Sequence, residues 1–192
     1  NRVHAAWRAR LSEHLGTLTL EATHFHAAAL LDDPARLAAL ASACAVADAA
    51  LPEREPHPAL FTGTCALFDL LESAPDEVWP AAYIRWELGL LGELGFGLDL
   101  SRCAATGLSD DLRYVSPRTG RAVSGTAGEA YRDRLLALPV FLGGVPASEP
   151  PDDPSDIARG LALTGHFLAA QVFAPFNRPP PGARDRLVAR LG

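Results

Sequence analysis

Residues 33–52, DPARLAALASACAVADAALP, constrain this chain more than any other stretch. Asp33 can accept from the first free amides of a helix, and Pro34 suits the first turn, where its missing N–H would have no partner anyway. The run to Ala50 is almost pure helix former until Pro52 stops it. At 192 residues with 48% hydrophobic residues, the chain can bury one sizeable core or a core plus a small appended unit. Alanine and leucine dominate while strand formers are sparse, so a mainly helical bundle is expected.

Further helices follow the same logic. Leu60, Phe61, Ala66, Leu67, Leu70 and Leu71 fall at helical spacing, and Asp76 or Glu77 is expected to start the next helix. In that helix Tyr83, Trp86, Leu90, Leu91 and Leu94 form an apolar stripe ended by Gly95. Two more are expected over 155–173 and 183–191, and LGGVPASEPPDDP, 142–154, reads as a surface loop. Two segments break the helical pattern. NRVHAAWRARL alternates, with Val3, Ala5, Trp7, Ala9 and Leu11 on one side and Arg2, His4, Ala6, Arg8 and Arg10 on the other, which predicts a half-buried strand. After a polar turn at Ser12–Gly16, TLTLE alternates again with Leu18 and Leu20 inward. Two strands cannot make a domain, so they read as the end of a sheet or barrel. The absence of methionine agrees, and residue 1 reads as a processing point or the first residue of a longer protein. The second segment, 112–124, predicts a hairpin turning at Pro117-Arg118-Thr119-Gly120.

Charge is segregated on an acidic body of net charge −6. Residues 22–101 carry three Arg against twelve acids, whereas 1–21, 102–121 and 178–192 each carry an excess of Arg. All 17 basic residues are arginine, able to bind phosphate in bidentate fashion. Such segregation suits a localised polyanion site. On the first strand Arg2, Arg8 and Arg10, with His4, would form a row that tracks a phosphate backbone, and the periodicity points Trp7 inward. Arg113, Arg118 and Arg121 make a second exposed cluster on the hairpin.

Other motifs carry less chemistry. A zinc ribbon needs four Cys or His ligands in short pairs, and 99–128 offer only Cys103, so a metal-free unit held by packing is expected. Gly89, Gly92, Gly95 and Gly97 lie in and after a helix instead of opening one, so they read as packing positions and not as a phosphate loop. His24 and His26 have ligand spacing but no third ligand nearby, which reads as one ring in solvent and one in the core. In LALTGHFL no acid orients His166 and no nucleophile elbow surrounds Thr164. No catalytic site emerges. Charges or prolines break every apolar run short of a membrane span, and the odd count of three cysteines suits a reducing, cytoplasmic setting without disulfides.

Several strings together resemble the bacterial recombination mediator family RecO in its alphaproteobacterial form: WRARLSEHLGTLTLE, LPEREPHPALF, YIRWELGLLGELGFGLDLSRCAATG, DDLRYVSPRTGRAVS and GLALTGHFL followed by VFAPFNRPPPGARDRLV. The likeness spans essentially the whole chain and is most specific over Tyr83–Ser124. It implies that 1–21 are the last strands of an incomplete N-terminal OB-fold, that 22–98 and 127–192 form a helical domain, and that 99–126 are an inserted β unit, zinc-ribbon-like but without zinc. It further implies binding to single- and double-stranded DNA and strand annealing. Loading of recombinase onto strands coated by single-stranded-DNA-binding protein (SSB), together with RecR, is also implied, with no cofactor and no bond-making catalysis. In that family the acidic SSB tail docks on the helical domain, and such a tail needs an apolar pocket beside a cation. Arg85, the only positive residue between Arg54 and Arg102, is the candidate for that cation. The rival reading is an acidic helical scaffold that binds only protein partners.

Overall fold

The computed structural model describes residues 1–11, 14–145 and 155–192. Ser12 and Glu13 of the expected turn, and 146–154 of the expected loop, lie outside the described residues. β1 (Arg2–Arg8) and β2 (Thr17–His24) form an antiparallel ribbon. A four-residue turn of helix, α1 (His26–Ala29), leads into α2 (Pro34–Ala50), α3 (Pro58–Ser73) and α4 (Trp79–Glu93). β3 (Leu112–Val115), β4 (Ala122–Ser124) and β5 (Leu136–Ala137) then build a small sheet of order β4-β3-β5, with the short helix α5 (Gly125–Gly128) between its strands. The chain closes with α6 (Asp156–Phe167) and α7 (Gly182–Leu191).

Local chemistry explains the ends of α2 and α4. Asp33 Oδ1 accepts from the amides of Ala35 and Arg36, both at 3.0 Å, which satisfies two free donors at the start of α2. α4 ends in a Schellman motif: Gly95, at φ +86°, donates to Gly92 O at 3.1 Å, and Phe96 donates to Leu91 O at 2.7 Å. The start of α4 falls at Trp79, later than Asp76 or Glu77. Pro80 explains the shift, because a proline is tolerated in the first turn but would clash with the preceding turn deeper in a helix. Residues 75–78 instead make a turn in which Val78 N–H donates to Pro75 O at 3.0 Å.

The core lies where α4 and α6 cross and where α2 receives α7. Tyr83, Ile84, Leu90, Leu163, Phe173 and Leu187 are all buried there. Gly160 permits the crossing, since a Cβ would come within 2.7 Å of Ile84 Cδ1. From Asp156 to Phe176 the helical segment is continuous for 21 residues, passing through a π turn at Leu168–Phe173, and by length and composition it could cross a membrane. Sequence reading places this helix over 155–173, and the structure carries it on to Phe176. Leu161, Leu163, Phe167, Leu168 and Phe173 within it are buried against the other helices, as in a core helix of a globular fold.

The hairpin forms as expected, Leu112 opposite Ser124 and Val115 opposite Ala122. Its turn needs glycine at 120, where φ is +67° and a Cβ would meet Leu98 Cδ2 at 2.7 Å. β5 is an addition, two residues long and too short to show any alternation. The N-terminal ribbon departs from expectation. Val3, Trp7, Leu18 and Leu20, expected to face inward, are 46%, 58%, 52% and 58% exposed. Alternation set the faces correctly, pairing Trp7 with Leu18 and Ala5 with Leu20, but no layer among the described residues covers the apolar face. The Trp7 indole lies over Gly16 instead, where a Cβ would come within 2.7 Å of its ring.

Candidate functional site

α3 and α4 run as packed neighbours, and between them opens a groove of about 480 Å³. Leu67, Leu70, Val78 and Trp86 supply much of its apolar lining, and Arg85 and Glu93 its charge. Trp86 is fixed by its indole N–H, which donates to Thr64 Oγ1 at 2.9 Å. Glycine shapes the groove. A Cβ on Gly63 or Gly89, both in the lining, would meet nothing within 4 Å. Gly92 is equally open, so the glycines of α4 keep a surface wide instead of packing it against a neighbour, contrary to the reading of Gly89 and Gly92 as packing positions.

Arg85 is exposed on this helix face. Its guanidinium donates to the Phe141 carbonyl at 2.8 Å and stands 5.4 Å from the centre of the Phe141 ring. Both contacts position the group without neutralising it, and no carboxylate pairs with it among the described residues. Glu87, two residues on, is its nearest acid in sequence, but positions i and i+2 do not face each other on a helix. Glu87 points into the core instead and is held by Arg184 of α7 at 2.7 and 3.0 Å. One arginine of the basic 178–192 segment is therefore internal.

The six arginines expected to bind DNA divide into two sets. Arg2 binds both carboxylate oxygens of Asp69 on α3 at 2.7 Å, Arg113 donates to Asp111 at 2.6 Å, and Arg121 lies 3.6 Å from Asp99. The Arg113 hydrogen bond also holds the Asp111 carboxyl below its ordinary range. Charge at those three positions is cancelled locally, which weakens them as phosphate contacts. Arg8, Arg10 and Arg118 are exposed and take part in no ion pair among the described residues. The row itself is shorter than expected, since β1 ends at Arg8 and Arg2, beyond a register shift before Val3, is engaged by Asp69 of α3. The two clusters also rest on different supports. The ribbon is tied to α3 through Arg2 and His24, whereas the hairpin turn leans on α6, with the Pro117 carbonyl 3.2 Å from His166 Nε2.

The remaining motifs fall into place around this frame. Cys103 is fully buried, its sulfur 3.3 Å from the Ser124 amide and 3.4 Å from Ser124 Oγ, so it packs the base of the hairpin. Thr164 is buried and donates to Glu87. His24 is exposed and His26 buried, as expected, though strand alternation would put both on one side; the strand ends between them. Sequence reading missed their shared partner Glu72, which lies 48 residues beyond His24 and is brought in by α3. No local spacing signals a contact of that kind.

A family model described as "Recombination protein O C terminal" matches residues 31–180. Three similar curated proteins carry the name DNA repair protein RecO. The one from Rhodospirillum centenum is 61% identical over 192 residues, covering 99% of this chain and 74% of that protein. The one from Phenylobacterium zucineum is 57% identical over 194 residues, covering 99% and 76%. A third, from Caulobacter vibrioides, is 53% identical over 194 residues with the same coverage.

Proposed function

The chain belongs to the RecO family of DNA repair proteins, and from that membership we propose that it acts in the cytoplasm as a recombination mediator. In this role it binds single- and double-stranded DNA, anneals complementary strands and, with RecR, helps recombinase load onto SSB-coated strands. Residues 1–21 serve as closing strands of an OB-fold, the helical segments as a protein-docking domain, and 99–126 as the inserted β unit.

The groove between α3 and α4 carries the docking part of this reading. An SSB tail is acidic and apolar and ends in a carboxylate. It calls for an apolar trough with an unpaired cation at hand, and the groove offers both, with Arg85 as the cation. A hydrogen bond to a charged group contributes about 1.5–3 kcal/mol, so Arg85→Ala should weaken binding of a fluorescent tail peptide by roughly ten- to a hundredfold. Anisotropy titration measures it directly. Equal affinity for the variant, with its circular dichroism unchanged, would remove the groove from this role.

DNA contact falls to Arg8, Arg10 and Arg118, which keep their charge available. The pairing of Arg2, Arg113 and Arg121 favours the second reading, a scaffold that binds only proteins. Electrophoretic mobility of labelled single strands at low salt separates the two, because a pure scaffold leaves the strands unshifted.

A further inference from the structure

Away from the groove and the arginines, one set of side chains converges with the chemistry of a metal site. His24 ends β2 and His26 opens α1, so a sharp change of direction at Phe25 turns both rings toward α3. Glu72 meets them from the last turn of that helix. Its two oxygens lie 2.8 and 2.9 Å from His24 Nε2, and Oε1 also contacts His26 Nδ1. All three donor atoms fall within 4.8 Å of one another. The rings stand edge to face, 4.7 Å apart at 76°. His26, 3% exposed, rests against Phe68 at 5.4 Å, while the His24 side chain keeps 44% of its surface open to solvent.

We propose that His24, His26 and Glu72 bind a divalent first-row transition-metal ion, zinc foremost, with water completing the coordination. The donor set selects the metal class. Calcium and magnesium want six or more oxygens, and a single carboxylate cannot supply them, whereas two imidazoles and one carboxylate suit zinc, with three protein ligands and an open position. Distances allow it. Zinc bonds of about 2.0–2.1 Å at tetrahedral angles place ligand atoms roughly 3.3 Å apart, so Glu72 must draw back from His26, its shorter contact, by more than the roughly 0.5 Å by which the His24 contact needs to open. His24 can provide that movement because it is exposed at a strand end, while His26 is held in place by its packing. The ion would join the ribbon to the helical body at the point where Arg2 and Asp69 already tie them. Binding restricted to the folded state would therefore raise the unfolding temperature with zinc concentration.

The test uses the full chain, with any affinity tag removed and metal stripped by chelator. Titration of zinc chloride against a chromogenic chelator should give one equivalent bound, and the melting temperature should rise with free zinc. His24→Ala, at an exposed position, and Glu72→Gln, which keeps the shape of the acid, should each weaken binding at least about tenfold while remaining folded by circular dichroism. A variant carrying both Cys44→Ser and Cys65→Ser should bind as the parent does. Cobalt in place of zinc should give visible absorption bands that vanish in His24→Ala. The proposal is overturned if no equivalent binds at micromolar zinc, if His24→Ala and Glu72→Gln bind like the parent, or if the cysteine variant loses the ion.

Discussion

Arg184→Met should be the most damaging single change that leaves side-chain volume nearly constant. Arg184 reaches from α7 into a buried network in which Glu87, with 0% exposure, is the central acceptor. Its guanidinium gives two hydrogen bonds to Glu87, one to Leu161 O at 2.8 Å and one to Thr164 Oγ1 at 3.1 Å. Tyr83 adds another to Glu87 at 3.0 Å and is itself joined to Ser42 of α2 at 2.6 Å. Three helices thus meet on one carboxylate, and Tyr83 links α2 to it as a fourth. Burial, together with the charge of that carboxylate, pushes the pKa of the Tyr83 hydroxyl well up. Removing one member of a buried pair costs about 3–5 kcal/mol, because the surviving charge is stranded. For a chain of this size that corresponds to a fall in melting temperature of roughly 6–20 °C. A double variant, Glu87→Gln with Arg184→Met, removes both charges while the Gln oxygen can accept from Tyr83 and the Gln amide can donate to Thr164 Oγ1, whose own hydroxyl is left to Gly160 O. It should recover at least about half of the loss, giving a coupling energy above roughly 1 kcal/mol. Urea denaturation followed by circular dichroism measures all four corners of the cycle. If Arg184→Met costs less than about 1 kcal/mol, or the double variant merely adds the two single losses, the network does not fasten the four helices.

Gly89→Ala should stabilise the chain by about 0.5–1 kcal/mol in the same denaturation assay, since the new methyl meets open space and α4 gains a better helix former. Gly165→Ala should do the opposite: a Cβ there would come within 2.7 Å of the Arg184 guanidinium, which its hydrogen bonds hold in place, so the melting temperature should fall. Replacing Arg8, Arg10 and Arg118 together with Ala should weaken single-strand binding and flatten its salt dependence by about 0.7 in slope for each phosphate no longer neutralised, whereas replacing Arg2, Arg113 and Arg121 should change the slope less. Asp111, depressed mainly by its hydrogen bond from Arg113, should titrate below 3.8 in carboxyl NMR spectra and move upward in Arg113→Ala. Because the folded value is the lower one, the stability this group contributes is present above pH 3.8 and fades as pH falls through its folded pKa.

What the sequence made legible is what neighbouring residues decide. Asp33-Pro34 and Pro52 frame α2, the glycine after Leu94 ends α4, and the Pro117–Gly120 turn sets the register of Val115 against Ala122. Each of these depends on backbone chemistry within a few residues, where spacing carries the information. Alternation in β1 likewise assigns Trp7 and Arg8 to opposite faces. It is silent on what stands over either face, which is why an apolar face expected to be covered is open.

The same limit governs the charged residues, and there it bears on function. An arginine in the sequence is a cation of unknown employment until the fold delivers or withholds a carboxylate. Arg184 and Glu87 are separated by 97 positions and find each other in the core, while Arg2 is met by Asp69, 67 positions on. Arg85, with Glu87 two residues away, is left among the described residues with a carbonyl and a ring. Charge segregation along the chain therefore overstates the cationic surface. It predicts three basic segments, and the fold spends Arg184 on the core and Arg2, Arg113 and Arg121 on local pairs. Polyanion binding, if it follows charge, must then concentrate on the few guanidinium groups that remain, and acidic-tail binding on the one that stands beside an apolar groove. Both expectations are narrower than the sequence alone allowed, and each can be removed by a small number of substitutions at exposed positions that leave the core untouched.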